Sequence, residues 1–118
     1  MLLAPAHGFA ASSVNYGQVP KDAEAFLRGA CPIVGSFGAR DRTLRGAAAK
    51  LRVALERNDI THDVKEYPEA GHSFLNRHDS VLFAVSGHLM GGGGYQEASA
   101  DDARRRIADF FCSHLTPA

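Results

Sequence analysis

Two short apolar runs with an amphipathic helix pattern between them constrain this chain more than any other feature. The first, Pro32-Ile33-Val34-Gly35-Ser36-Phe37-Gly38, stops at a glycine, and the second, Thr61 to Tyr67, alternates and is closed by Pro68. Between them Leu44, Ala47, Ala48, Leu51, Ala54 and Leu55 fall on one helical face, with Arg45, Lys50, Arg52 and Glu56 mostly elsewhere. Asn58-Asp59 supplies a C-terminal stop for that helix. Strand, helix and strand in close succession make a right-handed parallel crossover, a unit of roughly 30 residues or more.

The flanking segments extend this pattern. Phe9 to Tyr16 is an apolar and small-residue run that reads as a buried strand, and Lys21 to Arg28 is weakly helical. Val81 to Met90 is apolar but runs into Gly91-Gly92-Gly93-Gly94, so it reads as a loop with some helix. Ser99 offers an N-cap, Asp101 and Asp102 suit a first turn, and Ala103, Ile107, Phe110, Phe111 and Leu115 form an apolar stripe for a terminal helix packed on the sheet. The expected fold class is α/β, with about three parallel strands, near 10 to 16, 32 to 37 and 61 to 67, and flanking helices. They form part of a doubly wound sheet whose edge beside the first strand is left unpaired.

A length of 118 residues accommodates one domain or part of one. Thirteen basic residues cancel thirteen acidic ones, so no strong field favours nucleic acid or an anionic membrane. No apolar run approaches the roughly 18 residues that span a bilayer, and Met1-Leu2-Leu3-Ala4-Pro5 lacks the charged start of a secretion signal. The expected setting is cytoplasmic, and the expected partner is a small molecule or a protein.

Candidate chemistry sits at two glycine-assisted exits from strands. Asp41 follows the first strand of the crossover in Gly38-Ala39-Arg40-Asp41, and His72 follows the second in Glu69-Ala70-Gly71-His72-Ser73-Phe74. The two should emerge from the same carboxyl-end edge of neighbouring parallel strands, where open α/β sheets place ligands. A carboxylate bonded to one imidazole nitrogen fixes the tautomer and leaves the other nitrogen to take a proton from a nucleophile. Read singly, an aspartate before a helix is more often a cap, and a lone histidine after a strand is usually an exposed loop residue. Their joint placement, acid before histidine in chain order, favours chemistry.

The segments Cys31 to Asp41 and Asp63 to Phe74 resemble the acid and histidine segments of the dienelactone hydrolase family. The resemblance continues through Phe9 to Gly17 and from Ala103 to Phe111, so it covers nearly the whole chain. It implies a partial α/β-hydrolase fold and hydrolysis of a lactone or carboxylic ester through a Cys/Ser-His-Asp triad. Asp41 would be the orienting acid, His72 the base, and no cofactor would be needed. It also implies that residues 1–118 are the C-terminal portion of such a domain, with Met1-Leu2-Leu3-Ala4 similar to the tail of the helix that follows the nucleophile.

The family's nucleophile elbow, Gly-x-Cys/Ser-x-Gly, does not occur. Gly71-His72-Ser73-Phe74-Leu75 lacks the closing glycine, and Gly35-Ser36-Phe37-Gly38 has the wrong spacing. Cys31 precedes the strand that Asp41 follows, which puts the two at opposite ends of the sheet, so Cys31 is rejected as nucleophile. In well-known dienelactone hydrolases an arginine four positions after the histidine helps hold the substrate carboxylate, and here that position is Asn76. The chain alone is expected to be inactive. The alternative function is a non-catalytic remnant or interaction piece that pairs through an exposed sheet edge.

Other features carry less. No two of the six histidines stand at the spacing of a helical metal-ligand pair, so no metal site is expected. Gly91 to Gly94 lacks a phosphate-binding fingerprint and reads as a loop near the site mouth. Arg104-Arg105-Arg106 reads as a solvated helix face, and Cys31 and Cys112 as isolated thiols.

Overall fold

The computed structural model describes residues 8–77 and 95–115. In chain order these form β1 (Ser12–Asn15), α1 (Ala23–Phe26), β2 (Ile33–Gly38), a 3-10 turn (Arg42–Leu44), α2 (Ala47–Arg57), β3 (His62–Tyr67) and a terminal helix, here α3 (Glu97–Leu115). The strands pair in parallel in the order β1-β2-β3, with Gly35 opposite Val14 on one side and Val64 on the other. All three expected strands are present. The first is shorter than its apolar run, because Phe9 lies outside the sheet and is 52% exposed.

β2 is central, and every one of its residues is buried, as expected of a parallel strand covered on both faces. Ile33 and Phe37 join Val14 and Val64 in a core with Leu51, Ala54 and Leu55 of α2. On the other face Tyr67, Ala70 and Phe74 pack against Ala100 and Ala103 of α3. Val64 and Tyr67 are three residues apart, so they point to opposite faces. They are the only buried residues of β3. The alternation expected for this strand is thus replaced by one apolar anchor for each helical layer.

The helix expected from Leu44 begins later. Leu44 is buried in the 3-10 turn, and Gly46, at φ 73°, forms the N-cap of α2 in the left-handed region that glycine enters without strain. The stop at Asn58-Asp59 occurs as read: Asp59 takes φ 53°, and the Ile60 amide returns to the Leu55 carbonyl at 3.0 Å. The terminal helix starts at Glu97, two residues before the expected cap. Ser99 is buried within its first turn, and Gln96 caps the helix by accepting from the Ser99 amide at 2.6 Å. The expected stripe is covered at Ala103 but exposed at Leu115.

Arg106 corrects the reading of its helix face as solvated. Its side chain is only 14% exposed and forks onto Asp63, with Nε 2.9 Å from Oδ2 and a terminal nitrogen 2.7 Å from Oδ1. It also donates to the Tyr67 hydroxyl at 3.0 Å, which in turn donates to Asp102 at 2.9 Å. Lys65 reaches the same Asp102 oxygen at 2.6 Å. Two cations and two carboxylates therefore join β3 to α3, and the guanidinium fork fixes geometry that a point charge would not.

The end of β2 approaches the segment after β3 without a gap. The Ala39 amide donates to Tyr67 and the Arg40 amide to Ala70, at 2.9 and 3.0 Å, and Arg40 pairs with Glu69. A Cβ at Gly38 would lie 2.5 Å from the Ala70 carbonyl oxygen and 2.6 Å from that of Gly71. The position needs the absence of a side chain rather than left-handed backbone.

Two predictions follow from this packing. Gly38→Ala should lower the unfolding free energy by about 1–3 kcal/mol, read as a fall in the urea midpoint, because backbone atoms must move. For the charge network, hydrogen bonds from Lys65 and Tyr67 hold the Asp102 carboxyl down at about 2, against an ordinary 3.8. A depressed folded-state value stabilises the chain above the unfolded value, and that contribution is lost as pH falls through the folded one. The stability difference between wild type and Asp102→Asn should therefore be constant near neutrality and shrink between about pH 4 and pH 2, measured by urea unfolding across that range.

Candidate functional site

The carboxyl ends of all three strands converge on one region, the edge at which open α/β sheets bind ligands. β1 delivers Tyr16, β2 delivers Asp41 and β3 delivers His72. The structure brings Asp41 and His72 into contact, with His72 Nδ1 2.6 Å from Asp41 Oδ2. The Asp41 side chain is fully buried and that of His72 is 32% exposed.

Asp41 both caps the turn that follows it and reaches the imidazole. Its Oδ1 caps the 3-10 turn, accepting from the Thr43 amide at 2.9 Å and the Thr43 hydroxyl at 2.6 Å, which leaves Oδ2 for the imidazole. Burial pushes the carboxyl pKa up. The Thr43 hydroxyl, His72 and the Thr43 amide together outweigh that effect and hold it below the usual value. An ionised carboxylate accepts only, so Nδ1 carries the proton and Nε2 is left as the basic nitrogen. Among the described residues no hydrogen bond engages Nε2.

The backbone around the imidazole is strained. Three described non-glycine residues have positive φ: Asp59 at the end of α2, and Tyr16 and Ser73, at 41° and 61°. The latter two both adjoin His72. Ser73 is its chain neighbour, and the Tyr16 ring lies 5.5 Å from the imidazole at 55°. Strain of this kind persists where the surroundings hold it and clusters at ligand sites. Tyr16 was not singled out from sequence; only its place at the end of the first strand, before Gly17, pointed to it.

Cys31 lies ahead of β2, so the six residues of the strand separate it from Asp41, about 20 Å of extended chain. Burial raises its thiol pKa, the opposite of what an activated nucleophile needs. Burial raises the Tyr16 phenol pKa, and Asn76 acts on it in the lowering direction. Among the described residues no His, Cys, Asp and Glu cluster could hold a metal ion, and no helix is long and apolar enough to cross a membrane. The segments 1–7 and 78–94, which include His78, the apolar run 81–90 and the four glycines, lie outside the described residues.

No curated protein matches the sequence. Among solved structures, a protein described as a dienelactone hydrolase of Klebsiella pneumoniae subsp. pneumoniae MGH 78578 superposes with a TM-score of 0.64 at 24% identity. The alignment covers 86% of this chain and 41% of that one, so the chain spans less than half the length of this structural neighbour. That likeness supports the fold. The dienelactone hydrolase family model matches residues 1–115, and the chain belongs to that family.

Proposed function

We propose that Asp41 and His72 are the orienting acid and the general base of a hydrolase acting on a lactone or carboxylic ester, with no cofactor. The observation that carries this reading is the 2.6 Å bond between a fully buried carboxylate and a part-exposed imidazole at the carboxyl edge of the sheet. In such a pair the base nitrogen takes a proton from a nucleophile, which attacks the ester carbonyl, and the carboxylate steadies the imidazolium that forms. The expelled alcohol recovers the proton, and water then releases the acyl group by the same route.

The nucleophile belongs to the Gly-x-Cys/Ser-x-Gly elbow, a motif absent from these 118 residues. We read the chain as the C-terminal portion of the hydrolase domain, meeting a small substrate in the cytoplasm. Chemistry then requires a segment that supplies the elbow and, with it, one oxyanion-hole amide.

A second reading, a non-catalytic interaction piece, is favoured by one observation. β1 pairs only with β2 among the described residues, which leaves its other edge to accept a strand.

The two readings give opposite results in one experiment. The chain alone should hydrolyse p-nitrophenyl acetate near the uncatalysed rate, since triad members act as a unit and loss of the nucleophile removes about 10⁶-fold. Mixed with a separately produced N-terminal half of a full-length relative, it should restore turnover. His72→Ala should abolish that turnover, and Asp41→Asn should reduce it by roughly 10⁴-fold. Association of the two halves without hydrolysis would sink the assignment of Asp41 and His72 and leave the interaction reading standing.

A further inference from the structure

Tyr16 follows β1 in the left-handed region, a conformation that a bulky residue keeps only where its surroundings impose it. Its amide is tied to the Ser36 carbonyl of β2 at 2.8 Å. Its ring then reaches away from the strand, 5.5 Å from the His72 ring and 6.0 Å, nearly edge-on, from that of Phe74. Phe74 is completely buried and packs in turn on Tyr67, at 5.1 Å. The residue just past β1 therefore meets residues 72 and 74 of the loop that carries the imidazole.

The hydrogen bond to Asp41 restrains one atom of the His72 ring and leaves the ring free to swing about that bond. A ring held by the neighbouring strand limits the swing. We propose that Tyr16 is a positioning residue for His72: its tilted ring limits the rotation of the imidazole plane, so that Nδ1 stays on Asp41 while Nε2 keeps one direction. The proposal rests on the reading of His72 as base. The strained backbone is what delivers the ring, since an extended residue at this position would continue the strand and carry its side chain past the loop.

The test uses the full chain and the proton on His72 Nδ1, followed by nuclear magnetic resonance. In wild type this proton should appear at low field and exchange slowly with water. Tyr16→Leu and Tyr16→Gly should each speed its exchange roughly tenfold, the scale of a lost aromatic pair, while Tyr16→Phe should stay within about twofold. The glycine variant relieves the positive φ while the leucine variant keeps an apolar side chain, so an imidazole loosened alike in both, in chains still folded by circular dichroism, separates positioning from simple structural support. In the complemented hydrolase the leucine and glycine variants should lower kcat about tenfold with KM little changed. Unaltered exchange and tautomer in both variants would overturn the proposal. Failed hydrolysis by the associated wild-type complex, with the low-field proton present and sensitive to Tyr16, would instead overturn the catalytic reading and leave the Tyr16 contact intact.

Discussion

The close contact between the end of β2 and the turn after β3 is the constraint on which the rest of the arrangement depends. Gly38 has no side chain, so its backbone reaches the Ala70 and Gly71 carbonyls directly, and the two strands remain hydrogen-bonded through Ala39 and Arg40 after the regular ladder ends. Asp41 leaves this joint from one side and His72 from the other. A buried carboxylate is costly unless its acceptors are satisfied, and here Thr43 satisfies one oxygen while His72 takes the other. A methyl group at Gly38 would force these segments to shift, because it would meet the Ala70 and Gly71 carbonyls.

The two helical layers are held by different forces. α2 packs chiefly through aliphatic side chains, with Leu51 and Leu55 fully buried in the core and one bond from Arg52 to the Val64 carbonyl. α3 presents small residues, Ala100 and Ala103, which give close approach but limited apolar area. Its placement is completed by the Arg106 fork on Asp63 and by the Lys65–Asp102–Tyr67 bonds. The Asp41–His72 face therefore stands on a sheet clamped by apolar packing on one side and by polar pairing on the other. Directional pairs of this kind specify register more than they add stability.

Much of the architecture was legible in advance. The strand, helix and strand around Leu51 were apparent because apolar periodicity is a local property, and parallel pairing followed from the handedness of crossovers. The pairing of Asp41 with His72 was legible for the same reason: topology alone brings the two strand ends to one edge. The early start of α3, by contrast, turned on which of Gln96 and Ser99 faced the core. The burial of Arg106 turned on an aspartate 43 residues earlier in the chain.

Sequence by itself thus determined the fold class, the order and direction of the strands, and the acid and histidine that share an edge, because each follows from spacing and chain handedness. Only the tertiary structure decided that Tyr16, just past β1, turns to face His72, that the second oxygen of Asp41 holds the imidazole, and that Gly38 is needed for its missing side chain. These depend on distances between residues remote in the chain. No local propensity encodes such distances, which are set when both faces of the sheet are packed at once.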